Sequence, residues 1–229
     1  MAGPSSIDWF PLWLSLRVAL LATALVLTLG TLLAYLLSHK RFRGKDLLDA
    51  VITVPLVLPP TVLGYYLLVL LGRASPFGRI YESTVGHPLV FTWEAAVIAA
   101  FFHSAPIYIK AARAVFESVD YRYEWAARSL GASEWRTFWR VTLPLAGTGL
   151  SSLAALSFAR SLGDFGVTIM VAGNIPGQTQ TLAVAIYDAV ESGNGRLARV
   201  LVLLVSAVTV ALLWPASYAS RMGRAGEGR

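Results

Sequence analysis

Cysteine is absent from the 229 residues. Disulfides, thiolate metal sites and thiol nucleophiles are therefore excluded. Charge is nearly as scarce. Asp, Glu, Lys and Arg make up 14 % of the chain, against about 25 % in a soluble domain. A soluble globule of this length needs a polar shell that so few residues cannot form. The three histidines, His39, His87 and His103, show no zinc-like spacing, so no metal site is expected. No Gly-x4-Gly-Lys-[Ser/Thr] phosphate loop occurs; the one Gly-Lys pair, Gly44-Lys45, is followed by Asp46. His-Glu-x-x-His and Gly-x-Ser-x-Gly are missing too. The chain is thus read as non-catalytic and cofactor-free, and energy for any work must come from a partner or an ion gradient.

What is abundant is apolar surface, with 56 % hydrophobic residues. A bilayer core takes about 20 helical residues to cross. Charge-poor apolar runs of that size fall at approximately 14–38, 50–72, 89–112, 141–162 and 197–219. They predict an all-α polytopic membrane protein with five transmembrane helices, a single membrane domain over residues 1–229. The first run is too long for a signal peptide, lacks a basic leader and has no small-residue cleavage site. A further uncharged stretch, Phe165 to Tyr187, is cut by Asn174-Ile175-Pro176-Gly177-Gln178-Thr179-Gln180-Thr181. Its second half, 181–190, reads as a short amphipathic outer-side or re-entrant helix rather than a sixth span. Disorder is expected only in the first few residues and from Gly223 to Arg229.

Basic residues set the orientation. Lys40, Arg41, Arg43 and Lys45 follow the first run. Lys110, Arg113, Arg122, Arg128, Arg136 and Arg140 separate the third and fourth. Arg221, Arg224 and Arg229 follow the fifth. One side thus holds 13 of the 19 Lys and Arg. By the positive-inside rule that side is cytoplasmic, the N-terminus is outside and the C-terminus inside. The net charge of +6 then reads as loop topology, not as a nucleic-acid surface.

The longest segment on that side carries a helical elbow over 120–140. Gly131 suits a left-handed helix end. Ser133 can cap a new helix through Arg140, which shows Trp135, Phe138 and Trp139 on one side. Pro144 stands where the fourth span would begin. Either a partner surface or an interfacial aromatic belt fits this composition.

The order of residues is more specific. Glu124-Trp125-Ala126-Ala127, then Gly131, then Val141-Thr142-Leu143-Pro144, resembles the EAA loop of ABC-transporter permeases. Trp125 stands where that pattern has Glu, with Glu124 displaced by one. Three further segments are similar to molybdate permease subunits: Val54 to Tyr66, Phe158 to Gly166 and Gly173 to Thr181. Position 164 is Asp where that family more often has Glu. The resemblance covers Leu16 to about Arg221 and implies the type I ABC importer fold. It implies that Glu124, Ala126, Ala127, Gly131, Ser133, Trp135, Phe138 and Trp139 form a coupling helix that docks on an ATPase subunit. It implies a homodimer with two ATP-binding subunits, which hold ATP and Mg, and an extracytoplasmic oxyanion-binding protein. Molybdate is the favoured substrate, tungstate or sulfate the alternatives. A gradient-driven secondary carrier is the rival class, against which the halves show no internal repeat.

Pathway residues are sought among features costly in a membrane. Pro55, Pro59 and Pro60 break the second span next to Thr61, either as a packing kink or beside a cavity. Ser151 and Ser152 suit close helix packing or a polar pathway. Arg160 and Asp164 are spaced i, i+4, which reads as a structural ion pair or as a steering charge for an anion at the outer mouth.

Overall fold

The computed structural model describes residues 8–40 and 42–226. Arg41 and Arg229, counted with the basic loops, and residues 1–7 lie outside the described residues. All regular structure in the described residues is helical. The helices are α1 (Phe10–His39), α2 (Lys45–Val57), α3 (Pro60–Leu71), α4 (Pro76–Val85) and α5 (Trp93–Ser118). They continue as α6 (Tyr121–Ser129), α7 (Glu134–Leu162), α8 (Gly166–Val171), α9 (Leu182–Glu191) and α10 (Gly195–Gly226). The tail expected to be disordered from Gly223 is thus helical as far as Gly226.

Helices α1, α5 and α7 are each long and apolar enough to cross a membrane. They contain the predicted spans 14–38, 141–162 and most of 89–112. Their contacts form the centre of the bundle. Ala95, Ala96, Ala99, Ala100 and Ala112 of α5 are buried, as are Ala19, Ala22 and Ala34 of α1. Small side chains let membrane helices approach closely, where dispersion replaces the hydrophobic drive. Polar bonds cross this seam between the Thr31 and Tyr108 hydroxyls at 2.6 Å and from the Ser161 hydroxyl to that of Ser104 at 3.2 Å.

The predicted span 50–72 is two helices, not one. Helices α2 and α3 meet at 116°. The residue before a proline is pushed out of the helical region. Leu58 precedes Pro59, Pro59 precedes Pro60, and both are extended, with ψ 140° and 139°. Helix α3 then restarts with Pro60 in its first turn, where a missing N–H costs nothing. The bend is far sharper than a kink. Helix α2 has no fully buried residue; Leu48 and Ile52 pack partly buried on the core, and Asp49 meets Lys110 at 2.6 Å and Arg113 at 3.5 Å.

Helix α3 packs on α8, and α8 on α5. At one end of the α3–α8 contact Gly166 faces Pro60, where an added β-carbon would lie 2.6 Å from the proline Cβ. Helix α9 covers residues 182–190 of the segment 181–190 read as a short outer-side helix and ends at Glu191. It packs against α10 and α1, and its first amide donates to the buried Ser15 hydroxyl at 2.7 Å. Predicted span 197–219 lies inside α10, which is 32 residues long.

Candidate functional site

Two places gather the residues singled out above. The first is the elbow between α5 and α7. Asp120 caps α6 by accepting from the Arg122 amide at 2.9 Å. Gly131 ends the helix at φ +85°, and a β-carbon added there would meet nothing within 4 Å. Ser133 starts α7 by accepting from the Arg136 amide at 3.3 Å.

From there the structure departs from the expected pair of separate helices. α7 runs through position 140 into the span without a stop. Pro144 does not open a new helix. It has no N–H for the Arg140 carbonyl, and the wide π turn over Phe138–Thr142 takes up the change of register.

The aromatic triad also divides. Trp135 and Trp139 are exposed, but Phe138 is buried against Tyr35 and Phe116 at ring distances of 4.6 and 6.4 Å. Phe138 is a core residue, so it is not part of an exposed face. Glu124 likewise points inward and is only 4 % exposed. Its Oε1 accepts from the Thr142 hydroxyl at 2.6 Å and meets His39 Nε2 at 2.9 Å. Arg128 approaches the other oxygen at 3.5 Å. The outward face of the elbow is Tyr121, Tyr123, Trp125, Leu130, Trp135 and Trp139, with Ala126, Gly131 and Ser133 exposed beside them and Ala127 half-buried. Leu130 is 89 % exposed and was missed in the sequence, where a leucine in an apolar chain carries no signal.

The second place lies at the far end of α7. Arg160 and Asp164 do not pair directly. α7 stops at Leu162, so Asp164 lies past the helix end and the i, i+4 geometry does not hold. His103 of α5 stands between them. An Arg160 nitrogen lies 3.1 Å from His103 Nε2, and His103 Nδ1 lies 3.8 Å from Asp164 Oδ1. Asp164 is buried and accepts from the Thr168 hydroxyl at 2.6 Å. Its Oδ1 and the Arg160 Nε have no hydrogen-bond partner. The sequence offers for His103 only the absence of a zinc-like spacing, because α5 and the end of α7 meet only in three dimensions.

The turn from Asp164 to Gly166 brings this cluster beside Pro60, so the α2–α3 bend and the charged cluster share one region. Pro59, Pro60 and Thr61 are exposed there. Ser151 and Ser152 are elsewhere. Both donate to the Thr148 carbonyl of their own helix, and Ser151 lines an apolar groove with Thr28, Leu32, Trp135 and Trp139. The structure does not bring them to Arg160.

Residues 26–223 match the family of the binding-protein-dependent transport system inner membrane component. The chain is 41 % identical over 224 residues to a molybdenum transport system permease protein of Escherichia coli, covering 97 % of each chain. It is 42 % identical over 215 residues to a putative molybdenum transport system permease protein of Bacillus subtilis, covering 92 % of this chain and 95 % of that one. A chloroplastic sulfate permease of Chlamydomonas reinhardtii is 34 % identical over 201 residues, which is 88 % of this chain and 54 % of that protein. In fold, the chain is similar to a subunit of the inward-facing MetNI methionine ABC transporter, with TM-score 0.74, 18 % identity and coverage of 97 % and 99 %. A bacterial alginate ABC transporter chain gives TM-score 0.73 at 14 % identity, over 96 % of this chain and 80 % of that one. The elbow, the helical bundle and a match spanning most of the chain converge: this protein belongs to the family of inner-membrane components of binding-protein-dependent transport systems, the permease subunits of ABC importers.

Proposed function

We propose that this permease moves molybdate across the inner membrane by alternating access. The observation that carries the reading is whole-chain identity of 41 % to a molybdenum permease. The working unit is a homodimer with two ATPase subunits and an extracytoplasmic oxyanion-binding protein, and the pathway runs between the two copies. Helix α10 is the fifth span and the bent pair α2–α3 the second, with the N-terminus outside and the C-terminus cytoplasmic. ATP and Mg are held by the ATPase subunits. Trp125, Leu130, Trp135 and Trp139 give the elbow an apolar face, bordered by the exposed Arg122, Arg128, Arg136 and Arg140, suited to a groove on that partner. ATP binds one state of the ATPase pair better than the other, and this differential affinity shifts the spans. The cluster of Arg160, His103 and Asp164 adjoins the bend through the Gly166–Pro60 contact, and Arg160 favours entry of a dianion there.

The test is uptake of labelled oxyanion into proteoliposomes holding the permease, its ATPase and its binding protein. Molybdate uptake that depends on ATP and is not matched by sulfate supports the reading. Sulfate uptake in preference to molybdate would replace it with the second reading, which the 34 % identity to a sulfate permease favours. Uptake without the ATPase would point to a gradient-driven carrier.

A further inference from the structure

The last turn of α1 is fastened to the elbow at three points. His39 Nε2 meets Glu124 Oε1 at 2.9 Å. Lys40 donates to both carboxylate oxygens of Glu134 at 2.7 and 2.9 Å. The Tyr35 ring packs on Phe138 and stacks on His39, at 4.6 and 4.4 Å. Glu124 is the member that reaches furthest, because the same oxygen also accepts from Thr142 in the π turn of α7. Thr142 is fully buried, and His39 is fixed from its other side by the Ser38 hydroxyl at 2.6 Å. A buried carboxylate is tolerated only when its lone pairs are taken. One side chain of α6 thus joins the end of the first span to the start of α7.

We infer that Glu124 is a positioning residue that locks the elbow to α1, so that α1 and the elbow move as one body when the ATPase closes. The inference rests on the elbow being the ATPase docking face. It assigns the acidic residue displaced by one from the family pattern an inward task. A contact on Trp125 would press the partner against the lid of a buried polar junction, and the push would enter α1 and α7 together. Without the junction α7 alone would follow the elbow.

The chain has no cysteine, so paired spin labels can be placed cleanly. Phe42→Cys and Arg122→Cys put one label just past α1 and one on an exposed position of α6. The complete transporter, with a cysteine-free ATPase, is measured by pulsed dipolar spectroscopy without nucleotide and with ATP trapped. With doubly labelled permease diluted into unlabelled permease, so that one protomer of a dimer carries both labels, the expected result is one narrow distance, unchanged within about 2 Å between the states. In Glu124→Gln the distribution broadens and shifts on ATP binding. Uptake per ATP hydrolysed falls at least fivefold while ATPase copurification stays normal. His39→Lys, which keeps a hydrogen-bond donor opposite Glu124, retains the coupling ratio, whereas His39→Leu loses it. A distance that changes with nucleotide in the otherwise unmodified chain overturns the inference alone, as does Glu124→Gln with an unchanged coupling ratio. Failure of the ATPase to bind the otherwise unmodified permease overturns the docking reading and the inference with it.

Discussion

Gly166 touches Pro60 so closely that the contact admits no side chain. Pro60 opens α3 and Gly166 opens α8, and a β-carbon on the glycine would lie 2.6 Å from the proline ring. Gly166→Ala must push the two helices apart, an overpacking cost of about 1–3 kcal/mol. Gly147 lies in a helix with nothing within 4 Å of its would-be β-carbon, so Gly147→Ala gains up to about 1 kcal/mol of helix propensity. Melting in detergent should fall for the first variant and hold or rise for the second. Equal melting temperatures would refute the contact.

The elbow aromatics should separate by function. Phe138 is buried between Tyr35 and Phe116, so Phe138→Ala is a cavity mutation costing about 3–5 kcal/mol. Trp139 is exposed on the same helix turn. Trp139→Ala should leave the melting temperature nearly unchanged and weaken ATPase copurification. If both variants behave alike in the two assays, the division is wrong.

Docking itself is tested on side chains that carry no core. Trp125→Asp with Trp135→Asp places two charges on the exposed apolar face and should abolish ATPase copurification, with insertion and folding intact. Gly131→Pro should have a related effect by another route. Proline requires φ near −65°, and this position holds +85°, so the elbow would re-aim. Retained copurification in the double variant would remove the face from consideration.

Arg160 faces His103 and, beyond it, the buried Asp164. Arg160→Gln removes the guanidinium of the cluster and should slow oxyanion uptake about tenfold or more at normal membrane abundance. Asp164→Asn should act mainly on stability, since it disturbs the buried hydrogen bond from the Thr168 hydroxyl, worth about 1–3 kcal/mol. Full uptake by Arg160→Gln would leave the cluster a structural role alone.

Much of this molecule is legible without coordinates. Composition and run length identify a helical membrane protein, and local chemistry marks the turn at Gly131 and the cap at Ser133. These features depend on neighbours in the chain. The bend at Leu58-Pro59-Pro60 is also local, although its angle is not, because the angle depends on how α3 seats on α8 through Gly166. The inward turn of Glu124, the burial of Phe138 and the place of His103 are of another kind. Each is decided by residues 57 to 103 positions away, such as His39, Tyr35 and Arg160. Hydrophobic periodicity tells how much of a helix is apolar, but in lipid an apolar face can meet either a neighbour or the bilayer.

The sequence by itself determined the class, the helices, the elbow and the scarcity of charge that makes each charged residue in a span worth asking about. Only the tertiary structure decided which of those charges meet. Ion pairs and core contacts between helices are set by packing angle and by where a helix stops. The end of α7 at Leu162 placed Asp164 beyond Arg160's face and within reach of His103 instead.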